Sequence, residues 1–89
     1  MLIKVAGKDV KVQAKRVHAG VYTYSLAGYT VRVEDRDPNP AFGDTKVMWC
    51  AIPAWESNWG AMSDPMETKR EAVEIARTML ANVIPGASL

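Results

Sequence analysis

Residues that bear chemistry are scarce in this chain of 89 amino acids, which has one cysteine, one histidine and no glycine-rich stretch. A single thiol excludes an internal disulfide and every multi-cysteine zinc or iron–sulfur site. Cys50 stands in the apolar run Val47-Met48-Trp49-Cys50-Ala51-Ile52, where cysteine behaves as a small inert hydrophobe. His18 precedes Ala19-Gly20 and reads as part of a connection, so no Cys–His nucleophile pair is expected. Neither His18 nor the acids Asp35, Asp37 and Asp44 fall at a recognised metal-ligand spacing. Those acids and Glu34 lie in a loop with no groove for paired-carboxylate chemistry, and no strand-to-helix turn is built to cradle phosphate. The expectation is a protein that is not an enzyme, with no catalytic residue, metal, cofactor or small-molecule substrate.

Long apolar runs are missing too. No segment reaches membrane-spanning length, and the first residues meet charge at Lys4, Lys8 and Asp9 instead of forming a signal-peptide core. With one cysteine, this reads as a cytoplasmic protein without membrane contact. The chain is 48% hydrophobic and 24% charged, close to globular averages. A single domain of residues 1–89 is expected, able to bury roughly three-fifths to two-thirds of its unfolded surface. The net charge of +1 is unevenly spread. Residues 1–32 hold six basic residues against Asp9, a balance of +5, whereas residues 33–89 hold five basic and nine acidic residues, a balance of −4. Such a dipole can steer a charged partner, although solvated edge strands carry the same pattern.

What is present reads first as strands. Residues 2–5 and 10–15 alternate apolar and polar positions on either side of Gly7-Lys8-Asp9, a hairpin with one wet face. Val21-Tyr22-Thr23-Tyr24-Ser25-Leu26 and Tyr29-Thr30-Val31-Arg32-Val33 flank Ala27-Gly28 as a second hairpin, rich in β-branched and aromatic residues. These two hairpins fill residues 1–33. Residues 34–45, acidic and containing Pro38 and Pro40, read as an exposed loop because proline cannot donate to a ladder. Residues 46–52 lose all alternation, the pattern of a central strand covered on both faces. Residues 53–66 form a tryptophan-containing loop without a clean period.

A helix over 68–84 follows. Ala72, Val73, Ile75, Ala76, Met79, Leu80 and Val83 form one stripe, with Arg70, Glu74, Arg77, Thr78 and Ala81 opposite. Thr68 and Glu71 have the spacing of a capping box, Asp64-Pro65 offers an earlier start, and Pro85-Gly86 stops the helix. The fold class is therefore α+β: a two-layer domain whose antiparallel sheet of four or five strands packs on one C-terminal amphipathic helix.

One helix covers one face of such a sheet. If the apolar strand is central, the other face also holds apolar side chains, and leaving them in water costs several kcal/mol at about 25 cal/mol per Å². Either the segment bearing Trp55, Trp59 and Met62 folds back as a lid, or a protein partner or second copy covers the face. The leading functional expectation is thus a small protein-binding module, similar in size and design to accessory and inhibitor proteins of phages that block host defence nucleases. Trp49, Trp55, Trp59 and Met62 would be its anchors, and Asp35, Asp37 and Asp44 would meet a basic surface. The alternative is nucleic acid, held by Lys11, Lys15, Arg16 and Arg32 with Tyr22, Tyr24 and Tyr29 as stacking groups.

Strands leading through a tryptophan-containing strand into Thr68-Lys69-Arg70-Glu71-Ala72 resemble, over about residues 47–83, the end of the sheet-plus-helix domain at the N-terminus of phage integrases. That resemblance implies binding of arm-site DNA through the sheet. The acidic excess after residue 33, and the lack of a Gly-Lys-Arg-rich strand before Thr68, depart from the family's pattern.

Overall fold

The computed structural model describes residues 1–36, 47–56 and 61–89. Among them are seven strands and one helix in two antiparallel sheets, so the α+β class holds. Strands β1 (Leu2–Val5) and β2 (Lys8–Lys11) join β7 (Ala87–Ser88) in the order β2-β1-β7. Strands β3 (Gln13–His18), β4 (Val21–Leu26), β5 (Tyr29–Arg36) and β6 (Met48–Pro53) form a second sheet in simple sequential order. Helix α1 (Lys69–Val83) packs on β5 and β6 and, through its other contacts, on β7 and β1.

Three tight turns set the topology of the first half. Ala6-Gly7 and Ala27-Gly28 have φ of 52° and 80° and of 53° and 83°. A pair of left-handed residues is what a two-residue hairpin matched to strand twist demands. The first turn is one residue earlier than the glycine-lysine-aspartate reading suggests, and Lys8 already pairs with Val5. The arm read over 10–15 is not continuous. It breaks at Val12, which is 1% exposed in the core, donates its N–H to the Met1 carbonyl at 2.9 Å and passes the chain from one sheet to the other. The continuation, β3, makes a third hairpin with β4 across Ala19-Gly20, so His18 ends a strand instead of lying in a connection.

The acidic loop also begins later than its composition suggests. Glu34, Asp35 and Arg36 pair with Cys50, Trp49 and Met48, because an available neighbouring strand overrides weak local β preference. Residues 37–46 and 57–60 lie outside the described part. The apolar strand β6 is an edge strand, not a central one. Its outer edge is closed by the segment before the helix. Trp49 and Met66 exchange N–H to carbonyl bonds of 2.8 and 2.7 Å, the Ser63 N–H donates to the Ala51 carbonyl, and the Ala51 N–H donates to Ser63 Oγ. Residues covered along that edge need not alternate, which is how β6 imitates a central strand.

Helix α1 starts where its cap places it. Thr68 Oγ1 accepts from the Glu71 N–H at 3.2 Å and donates to the Glu71 carboxylate at 3.0 Å, so the return bond goes to the hydroxyl and not to the Thr68 amide. Asp64-Pro65 does not begin the helix. Ala72, Ala76 and Leu80 are fully buried against Val31, Val33 and Ala51 within one cluster. Ala81, expected on the wet side, is buried as well. The small sheet's β7 strand was not foreseen from the sequence and pairs with β1 through Lys4–Ser88 and Val5–Ala87.

Gly20 and Gly28 give a matched pair of tests. Both have left-handed φ, but a Cβ at Gly28 meets open space whereas one at Gly20 strikes the Asp35 carboxylate. In urea denaturation, Gly28→Ala should cost about 1 kcal/mol from backbone strain alone. Gly20→Ala should cost about the same, because the atoms it meets are the end of the exposed Asp35 side chain, which can swing aside.

Candidate functional site

Side chains opposite one another in an antiparallel ladder share a face, so the register sorts the larger sheet into two surfaces. On the helix side lie Tyr22, Tyr24 and Leu26 of β4, Tyr29, Val31 and Val33 of β5, and Trp49, Ala51 and Pro53 of β6, with Ala14 and Arg16 of β3 at the margin. On the other side Lys15, Thr23, Arg32 and Ile52 form one row across all four strands, and Gln13, Ser25 and Thr30 form the next. Among the described residues no helix or strand packs on this second face.

The second face is polar over β3, β4 and β5 and apolar at β6, where the register places Met48, Cys50 and Ile52. The open face is mostly polar: Ser25 Oγ and Thr30 Oγ1 hydrogen-bond at 2.8 Å, and Arg32 Nε pairs with the Glu34 carboxylate at 2.9 Å. Arg36 donates to the Met62 sulfur at 3.4 Å. Among the described residues of β4, β5 and β6, the apolar positions on this face are Val21, Met48, Cys50 and Ile52, and Cys50 is fully buried. The polar part over β3, β4 and β5 needs no protein cover to stay in water, whereas the apolar end at β6 is already partly covered.

Two of the expected anchors pack on the rim of the core. Trp49 and Trp55 are half-buried against the helix-side cluster. The Trp49 ring lies 6.4 Å from that of Tyr22, and Trp55 meets Tyr29 edge-on at 5.5 Å. Met62 is half-buried, and exposed Asp35 lies against Gly20. Trp59, Asp37 and Asp44 fall outside the described residues. The proposed protein-binding set is therefore not brought together as an exposed patch among the described residues.

The proposed nucleic-acid set divides. Lys15 and Arg32 meet on the open face, but Arg16, Tyr22 and Tyr24 are on the opposite one and Lys11 is in the other sheet. Tyr22 is covered by the Lys69 ammonium, 3.4 Å from the ring centroid, a cation–π contact that occupies the ring face. Tyr24 is 7% exposed. Burial, and secondarily neighbouring Tyr22, raises its phenol above the ordinary value of 10.0. Neither tyrosine is presented for stacking. The polar residues Gln13, Thr23, Ser25 and Thr30 were not singled out from the sequence, although the alternation Tyr-Thr-Tyr-Ser over 22–25 carries the signal.

Among the described residues no group of three or more His, Cys, Asp or Glu side chains could hold a metal ion, and no helix is long and apolar enough to cross a membrane. A groove of about 310 Å³ beside the last turns of α1 is walled by Pro53, Trp55, Met79 and Val83, with Glu56 and Asn82 as its polar members. One carboxylate and one amide do not make a catalytic constellation. No protein-family model, curated protein or solved structure matches the chain.

Two outcomes follow from these placements. Trp49→Ala and Trp55→Ala should each lower the unfolding free energy by about 2–4 kcal/mol, as loss of packed aromatic volume does; a change within about 0.5 kcal/mol would mark a surface role. For Tyr24, the phenol is protonated in both states below pH 10, and above it the unfolded chain releases the proton first. Stability should therefore be level with respect to this group below the ordinary value of 10.0 and fall as pH rises toward the higher folded value. Comparing wild type with Tyr24→Phe in alkaline denaturation isolates that limb.

Proposed function

We propose that the chain binds double-stranded DNA through the open face of its four-stranded sheet. The observation that carries this reading is the cross-strand row of Lys15, Thr23 and Arg32, flanked by Gln13, Ser25 and Thr30, on the side away from the helix. Two cations supply the attraction to phosphate, and four uncharged hydrogen-bonding side chains suit base edges. Four strands at about 4.8 Å per step present a surface about 14 Å across. That is too wide to enter the major groove of B-DNA whole, but a two-stranded part of the face fits this groove of roughly 12 Å, whereas the groove of A-form RNA is too deep and narrow to admit even that.

Glu34 sets a limit on the affinity. It pairs with Arg32 at 2.9 Å, and an exposed pair of this kind is worth only about 0–1 kcal/mol. Phosphate can therefore displace Glu34 at small cost. Recognition through stacked tyrosines has no support in the face that Lys15 and Arg32 share, which favours duplex over unstacked single strands. Trp49 and Trp55 already spend part of their surface on the core cluster, which leaves less for a protein partner.

Fluorescence anisotropy with a labelled duplex tests the reading. The logarithm of the binding constant should fall linearly with log salt, with a slope of about −2 for two phosphate contacts. Lys15→Ala and Arg32→Ala should each reduce that slope by about one, and Glu34→Gln should tighten binding. Absence of binding at low salt would overturn the proposal.

A further inference from the structure

The two edges of the four-stranded sheet are treated differently. At β6 the outward backbone groups of Trp49 and Ala51 are taken by Met66 and Ser63. Successive residues of an antiparallel strand aim their N–H and C=O groups at opposite neighbours, so this orientation propagates through the register. Met48, Cys50 and Ile52 face β5, and their partners Arg36, Glu34 and Arg32 face back. Val31 and Val33 then face β4, where Tyr24 and Tyr22 answer them, leaving Thr23 and Ser25 to face Lys15 and Gln13 of β3. Ala14 and Arg16 consequently point their N–H and C=O groups away from the sheet. Among the described residues nothing bonds to those four groups, and all six residues of β3 are exposed.

We propose that this edge docks an extended acidic segment of another protein, which adds beside β3 as a fifth antiparallel strand. Lys15 projects to the open face and Arg16 to the helix side, and neither has an ion-pair partner among the described residues. An incoming strand with two consecutive carboxylates places one opposite each, in the cross-strand position where opposite charges attract. A second copy of this chain is a poor occupant. Self-pairing centred on Lys15 sets ammonium against ammonium, and basic residues on an edge deter that association. The same charges that reject self select an acidic partner. The register shift between Arg16 and His18 ends the regular edge, so pairing spans residues 13–16. Main-chain bonds provide the attachment and side chains the specificity, as in other strand additions.

The test uses the intact chain and the synthetic hexapeptide Thr-Val-Glu-Glu-Val-Thr, with a control carrying lysines in place of the glutamates. The glutamate peptide should bind and the control should not. N-methylation of one alternate set of peptide amides should abolish binding, and methylation of the other set should leave it unchanged. Hydrogen exchange at the Ala14 and Arg16 amides should slow in the complex. Ala14→Pro, which removes an outward N–H without touching the ladder to β4, should weaken binding by about tenfold while leaving duplex binding through Lys15 and Arg32 intact. Arg16→Glu should shift preference toward the lysine peptide. The proposal is overturned if the glutamate peptide fails to bind, if both methylation patterns behave alike, if the lysine peptide binds equally, or if sedimentation shows a dimer that Ala14→Pro dissolves.

Discussion

The contact between the small side chains of α1 and the inner positions of β5 and β6 determines what every other surface is free to do. Ala72 and Ala76, fully buried, remove bulk from the helix face so that its backbone can approach Val31, Val33 and Ala51, and Leu80 fills the space at the lower end. Packing of this kind gains dispersion and desolvation energy only when no void remains. Once it forms, one face of the sheet is dry and the alternation of β3, β4 and β5 turns their polar residues to the other. The open surface is therefore set by the same register that builds the core.

The edges of the sheet show a second economy of design. At β6 the short segment over 63–66 satisfies the outward backbone groups and leads into the Thr68 cap, so one stretch closes the ladder and starts the helix. At β3 no described segment does the same. Instead the strand carries Lys15 and Arg16 and a register irregularity, features that keep an unpaired edge soluble. Charge on this strand thus serves the face, through Lys15, and the edge, through Lys15 and Arg16 together.

Much of the fold was legible because local chemistry and tertiary structure agree. Ala27-Gly28, the Thr68 cap and the stripe through Ala72, Ala76 and Leu80 each dictate one geometry, and each is observed. What was not legible depends on partners distant in sequence. Val12 looks like one more residue of an alternating arm, and only the meeting of two sheets makes it a junction. Glu34, Asp35 and Arg36 look like loop until β6 is placed beside them. β6 looks central because its edge is covered by a segment some ten residues further on. The functional reading shifted for the same reason: the tryptophans are apolar enough for a core or an interface, and only the register shows that Trp49 lies on the helix side. Thr23 and Ser25, unremarkable between two tyrosines, prove to line the open face.

The central claim is that the polar face opposite the helix is the working surface and that the aromatic side is structural. Following amide and side-chain resonances while titrating the chain with a short duplex DNA tests it most directly. The account expects shifts confined to Gln13, Lys15, Thr23, Ser25, Thr30 and Arg32, with Tyr22, Tyr24, Trp49 and Trp55 unmoved. Shifts centred on the tyrosines and tryptophans, with the polar rows silent, would contradict it.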